Sequence, residues 1–311
     1  MVWGPEVQIS HDLGQTWSPS SQQPRFSGEG SATVNKIWHI EPARGSQPGV
    51  LYAGVQPAAL FKSQDHGGTW DEITSLSSHA TRDGWQPGLG ELCLHSIVVD
   101  GHQEGRMWVG ISAVGVFGSN DGGETWHTMN QGVRADFLPQ RFPDFGQCPH
   151  KVLAARGSKD LLYQQNHCGV YRSASGGKHW QDISQGLPSQ FGFVLALDPG
   201  DPETLFVLPE DQVLGQDVGG GLRYVSEGKF QVYRSQNGGG DWEALTNGLP
   251  QENCYLHCLR EWMATDALDL CGVYLETSTG QLYHSRDRGD SWQLLVDQLP
   301  PINSVGCGSV D

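Results

Sequence analysis

Short apolar runs alternate with glycine-rich polar turns along the whole chain. Residues 193–250 display the order once. FVLAL (193–197) is apolar throughout and only five residues long, so it reads as a buried strand. Asp198-Pro-Gly-Asp-Pro202 is a turn, and LFVL (205–208) a second strand. A long insertion, 209–229, precedes a third strand, QVYRS (231–235). A polar turn then leads to a fourth, DWEAL (241–245), and GLP (248–250) closes the unit. Third strands of the same kind are ALFKS (59–63), GVFGS (115–119), GVYRS (169–173) and QLYHS (281–285).

Each third strand runs into a box with the spacing Ser-x-Asp-x-Gly-x-Thr-Trp, clearest in SNDGGETW (119–126). Full copies occupy 10–17, 63–70 and 285–292, and looser ones 173–180 and 235–242. The box tryptophans stand at 17, 70, 126, 180, 242 and 292, a period near fifty residues. Four short antiparallel strands repeated at that period predict an all-β fold, a β-propeller of four-stranded antiparallel blades. Six blades are expected in a single domain, 1–311, with one blade split. Its C-terminal strand, about 302–306, would close against the N-terminal hairpin, about 6–20. The alternative is a seven-bladed propeller truncated at its N-terminus.

Turn chemistry accounts for the box. A tight hairpin needs positive φ, which Gly123 supplies, and an acceptor for nearby backbone N–H groups, which Asp121 supplies. The six acceptor positions are Asp12, Asp65, Asp121, Ser175, Asn237 and Asp287. Two copies lack the acid and the repeat persists, so these residues are assigned a structural role. Six separated turns also cannot converge on one reaction centre.

Acids outnumber bases by 35 to 19, for a formal charge of −16. This balance argues against nucleic acid or an anionic membrane as partner. The first ten residues, MVWGPEVQIS, lack the pattern of a secretion signal, and no apolar run reaches a membrane span of ~20 residues. Seven cysteines are read as reduced thiols, and a cytoplasmic location is expected.

Candidate chemistry follows from topology. Box turns share one face with the turns joining strands one and two. The long segments 73–92, 129–149 and 209–229 all belong to the opposite face, where a ligand or partner is expected. First strands line the channel and begin at that looped face. His95, His150 and His257 stand near such beginnings, with Phe193 at the same level in the fourth repeat. In the first repeat Lys36 takes the equivalent level and His39 lies one step deeper, while His167 sits on a turn toward the same face. Several imidazoles around one axis suit a divalent transition metal (Zn, Fe, Cu or Ni), with His39, His95, His150, His167 and His257 as candidate ligands. Cys93, Cys148, Cys168 and Cys258 lie one or two residues away and read as buried small residues or further ligands. For catalysis the candidates are His95, His150, His167, Arg134, Arg260 and Glu261.

The boxes are those of the Asp-box, or BNR, repeat, and the chain resembles members of that superfamily over nearly its whole length. The superfamily includes sialidases, sortilin-type receptor domains and photosystem II assembly factors. The segments LYAGVQPAALFKS (51–63) and YQQNHCGVYRS (163–173) are most similar to bacterial BNR-repeat proteins of the sialidase-like, "glycosyl hydrolase" kind, which carry additional N-terminal sequence. The resemblance implies the propeller fold. A sialidase site would need an arginine triad, a tyrosine–glutamate pair and an aspartic acid/base. Arg82, Arg134, Arg141 and Arg260 are present, as are Tyr163 and Tyr255, but no sialidase motif carries over. Two functions therefore stand. One is a hydrolase-type enzyme acting on a small polar or carbohydrate-like substrate at a histidine-lined axial site, with or without the metal. The other is a non-catalytic platform for a protein or glycan, anchored by Trp85, Phe142 and Phe145.

Overall fold

The six box turns fold as the same clasp. A computed structural model describes residues 5–28, 32–213 and 222–308. In the clearest copy the Ser119 hydroxyl donates to Asp121 Oδ1 at 2.8 Å and accepts the Gly123 N–H at 2.9 Å. Asp121 accepts the Thr125 N–H at 2.9 Å, and the Trp126 indole N–H returns to the Gly123 carbonyl at 3.2 Å. These donors hold the exposed Asp121 carboxyl down at about 2, led by the Thr125 hydroxyl. Where the acid is missing, Ser175 Oγ accepts the His179 N–H at 3.0 Å and Asn237 Oδ1 accepts the Asp241 N–H at 2.9 Å. Any short acceptor closes the turn, which is why the repeat survives without its aspartate. Gly123 adopts φ +93°, as the hairpin requires.

Trp70, Trp126, Trp180 and Trp292 bury their rings at the head of the fourth strands. Trp17 differs, at 63% exposed. Among the described residues it belongs to a two-stranded hairpin, Gln8–Ile9 with Ser18–Pro19, that pairs with no further strand.

The chain divides into two compact units, residues 1–130 with 144–149, and residues 131–143 with 150–311. The first unit holds the hairpin and two four-stranded antiparallel sheets. One sheet comprises Lys36–Pro42, Leu51–Gln56, Ala59–Ser63 and Asp71–Glu72. The other comprises Leu94–Val99, Met107–Ile111, Gly115–Ser119 and His127–Thr128. Second and third strands are almost wholly buried, as their unbroken apolar runs predict. Fourth strands are short and exposed, since beyond the tryptophan they carry polar residues.

The second unit holds three sheets. The first comprises Pro149–Ala154, Leu162–Asn166, Gly169–Ser173 and Gln181–Asp182. The last comprises Met263–Thr265, Val273–Glu276, Leu282–Ser285 and Gln293–Val296. The middle sheet, Gly192–Leu197, Leu205–Val213, Val232–Ser235 and Glu243–Leu245, carries an addition. Its second strand runs on into the expected insertion and pairs antiparallel with Leu222–Val225, from Glu210↔Val225 to Val213↔Leu222. The insertion is therefore partly a β-ribbon rather than an irregular loop. Residues 302–306, expected as a strand, have no regular structure; the Val305 N–H donates to the Glu261 carbonyl at 2.8 Å. The strand that was to complete the first hairpin is thus not formed. All seven cysteines are free thiols. Among the described residues no helix is long and apolar enough to cross a membrane.

Candidate functional site

Three first strands carry a β-bulge near their start. Pairing skips Trp38 in Lys36–Pro42, His95 in Leu94–Val99 and Phe193 in Gly192–Leu197. A bulge re-aims the skipped side chain. The register counterpart of His95 is therefore Trp38, not Lys36, and His39 lies one step beyond it. In the first unit His95 is buried, with Nδ1 3.1 Å from Ser96 Oγ. His39 is half-buried, with Nε2 3.2 Å from Glu41 Oε2.

In the second unit an aromatic cluster forms around the bulged Phe193. His150 stacks on it at 4.4 Å between ring centroids, with the planes inclined by 21°. His150 Nδ1 lies 2.6 Å from the Gly192 carbonyl. A carbonyl only accepts, so Nδ1 bears the proton and Nε2 the lone pair. His167 meets His150 edge-on at 5.7 Å, Phe191 packs against both, and the half-exposed Phe137 covers His167 at 5.2 Å.

Two guanidinium groups lie on this wall. Arg260 sits 5.4 Å from the Phe193 ring and donates Nε–H to the His150 carbonyl at 3.0 Å. Arg223, from the ribbon strand Leu222–Val225, sits 5.1 Å from Phe193 and 5.4 Å from Phe191. Burial, followed by Arg260, holds the His150 imidazole well below its usual pKa. Burial and then Arg223 lower His167 and His257 likewise. All three are neutral at pH 7. Their lone pairs suit a metal, but the same positive field acts against a divalent cation as it does against a proton. His257 packs on Trp262 at 5.6 Å, and its buried Nδ1 has no hydrogen-bond partner. Cys148, two residues before His150, belongs to the first unit, where its Sγ lies 3.8 Å from Ser112 Oγ.

At the base of the ribbon, paired with Val225, stands Glu210, fully buried. Its Oε1 accepts the Cys258 N–H at 2.6 Å, and its Oε2 has no hydrogen-bond partner. Burial raises its pKa to about 8 against the pull of that N–H and of Arg223. Burial also raises Glu276 to about 7. Arg223, Glu210 and Glu276 were not singled out from the sequence. The available signal was an acid at the end of an apolar strand, in LFVLPE and VYLE.

Other expected residues are engaged elsewhere. Arg134 bonds Asp182 at 2.7 Å, Asp136 at 3.1 Å, the Cys168 carbonyl at 2.7 Å and Gln190 at 3.1 Å, so its donors are spent within the fold. Glu261 pairs with Lys151 at 2.5 Å. Both line a cavity of about 260 Å³ with Arg156, Leu195, Leu197 and Met263. Tyr163 is buried and donates to the Pro202 carbonyl at 3.1 Å, so it is no candidate nucleophile. Trp85, proposed as an exposed anchor, is buried against Phe117, with Arg82 4.6 Å from its ring. Phe142 is exposed and Phe145 packs against the first unit's core.

Comparison with known proteins fits this architecture. Residues 8–19 match the model of the BNR/Asp-box repeat. The chain is 26% identical over 269 residues to a probable oligoxyloglucan-reducing end-specific xyloglucanase of Neosartorya fischeri, spanning 76% of this chain and 30% of that protein. It is 27% identical over 256 residues to a xyloglucanase of Paenibacillus sp, spanning 72% of this chain and 24% of that one. The chain thus spans less than a third of these relatives' length. Among solved structures, an ancestral GH74 enzyme superimposes with a TM-score of 0.64 at 16% identity, over 94% of this chain and 36% of that one. A GH74 enzyme of Niastella koreensis gives 0.60 at 18%, over 92% and 42%. The fold is propeller-like, as in these solved structures, with Asp-box repeats.

Proposed function

We propose that the chain is a carbohydrate-binding protein of hydrolase type, with its ligand at the end of the second unit that carries the ribbon. The observation that carries this reading is the mixture of surfaces there. Tyr255, 72% exposed, meets Tyr224 edge-on at 5.9 Å, and Phe137 is 47% exposed over His167. Flat aromatic faces suit the C–H face of a sugar ring, and the neighbouring imidazoles and Arg223 suit its hydroxyls. The relatives named as xyloglucanases support the same substrate class.

Binding without turnover is the second reading, and the acids favour it. Acid/base hydrolysis requires two carboxyls facing the sugar, ~5–9.5 Å apart. Here Glu261 is paired with Lys151, Asp136 with Arg134 and Arg141, and Glu210 and Glu276 are buried.

Calorimetric titration with a panel of neutral and acidic oligosaccharides, beside reducing-end release on the same panel, tests both. Binding that is lost in Tyr255→Ala supports the site, and release of new reducing ends selects the hydrolase. A folded protein that binds no member of the panel refutes the proposal.

A further inference from the structure

We infer that the box turn 10–17 and the segment 297–300 are the two halves of one joint, through which copies of this chain associate head to tail.

The same joint is built five times inside the chain. The segment after each fourth strand lies over the box of the next repeat. After Ser18–Pro19, the Ser21 hydroxyl donates to the Gly68 carbonyl at 2.7 Å and the Gln22 amide to the Trp70 carbonyl at 3.2 Å. After Asp71–Glu72, Ser75 Oγ accepts the Trp126 indole N–H at 3.2 Å. The backbone N–H groups of Trp180 and Trp292 donate to the Gln131 and Asn247 carbonyls, each at 2.9 Å. The Trp242 indole donates to the Ile183 carbonyl at 2.8 Å. Four of these segments also send an apolar side chain inward. Leu76, Val133 and Leu249 are buried, and Leu187 packs with Trp242 against one core cluster.

One box and one such segment stand outside the series. Residues 13–19 are all exposed, Trp17 at 63% and Leu13 at 85%, whereas Trp70, Trp126, Trp180 and Trp292 are buried. Residues 293–301 are likewise all exposed. Leu299 holds the place of Leu249, in DQLP against NGLP, yet it is 40% exposed. The fourth strand before it reads QLLV, where the other four-residue-period sheets carry DE, HT, QD and EAL. Leu294, Leu295 and Val296 thus extend the apolar surface. Exposed apolar surface of this extent marks a place of association.

The occupant follows from complementarity. The uncovered box lacks what the uncovered segment offers, an apolar side chain and a backbone carbonyl at the spacing that serves Trp292. Gln298 replaces Gly248, whose missing Cβ admits the Trp292 carbonyl, so the contact is of the glycine-free kind made at Ser21 and Ser75. A second copy of the chain carries both halves. Because the two halves differ, the contact is heterologous, and each copy added presents a fresh half for the next.

Sedimentation velocity across a concentration series tests this on wild-type protein, Trp17→Ser, Leu299→Ser and an equimolar mixture of the two variants. Wild-type mass should rise with concentration. Each variant alone should need at least about tenfold more protein to associate. The mixture should associate again in the wild-type range and stop at two copies, since each variant supplies the half that the other has lost. Both side chains are exposed, so the variants are expected to keep the wild-type near-UV circular dichroism. Should either fail to fold, a peptide spanning 293–301 decides with wild-type protein alone: it should dissolve the assemblies, and indifference to it overturns the inference. A wild-type protein that stays monomeric throughout also overturns it. So does association that both variants leave unchanged, or a mixture no more associated than its parts.

Discussion

Glu210 should make the protein less stable as pH rises, and the size of the effect follows from its burial. In the folded chain its carboxyl keeps a proton up to about 8, against an ordinary value of 4.5. Below the ordinary value both states are protonated and the group contributes no pH dependence. Above it the unfolded chain ionises first, so unfolding releases a proton and becomes easier. The folded state's advantage is thus full in acid and lost as pH rises through the folded pKa. At about 1.4 kcal/mol per pH unit, this amounts to roughly 3–4 kcal/mol between pH ~5 and ~8. Glu210→Gln removes the titration. Its amide oxygen can still accept the Cys258 N–H, while its NH₂ stands where Oε2 has no partner, at a pH-independent cost of about 1–3 kcal/mol. The variant is expected to be less stable than wild type near pH 5 and to equal or overtake it near pH 8. Urea titrations followed by tryptophan fluorescence at several pH values measure this crossing. Glu276, raised to about 7, titrates in both proteins and cancels in the difference. Parallel stability curves would refute the assignment of a buried, protonated Glu210.

Three further outcomes are expected. Asp121→Asn should keep the thermal midpoint close to wild type, since Asn237 closes the same turn, whereas Asp121→Ala should lower it; scanning calorimetry showing equal losses would contradict the clasp. Gly132→Ala should cost about 3 kcal/mol or more, because at φ +94° a Cβ would collide with the Trp180 carbonyl. Gly157→Ala, at φ +72° in open space, should cost only about 1–2 kcal/mol, and denaturant unfolding separates the two. Elemental analysis at pH 7 should find only trace Zn, Fe, Cu or Ni, given the guanidinium groups beside His150; a stoichiometric metal lost in His150→Ala would contradict that reasoning.

Much of the fold was legible because the box fixes both ends of a hairpin within eight residues. The third strands at 59–63, 115–119 and 169–173 stand where the apolar pattern placed them. The ribbon was not legible. Pro209 follows LFVL and reads as a strand end, yet it sits in the edge-most extension of Leu205–Val213, where only the ribbon strand pairs beyond it. Missing that pairing hid Arg223, which lies against the Phe191 and Phe193 rings. His257 stands outside any strand, since the first strand of its sheet begins only at Met263, and in the first sheet a bulge adds a residue without altering the apolar pattern, so Lys36 was aligned where Trp38 stands. His150, His167 and Arg260 do meet in one unit. Arg134 looked equally suitable, because sequence shows a charged loop residue without showing the carbonyl and carboxylates that occupy it.

The strand Pro149–Ala154 is a partition with a different tenant on each side. His150 turns to the aromatic wall and Lys151 to the 260 Å³ cavity, and the neighbouring pair Arg260 and Glu261 divides in the same way. Deleting one residue from such a wall would turn it inside out, delivering a lysine to the rings and an imidazole to the cavity. Length changes here are therefore closed as a route of divergence. The two compartments can drift apart only by exchanging one side chain at a time.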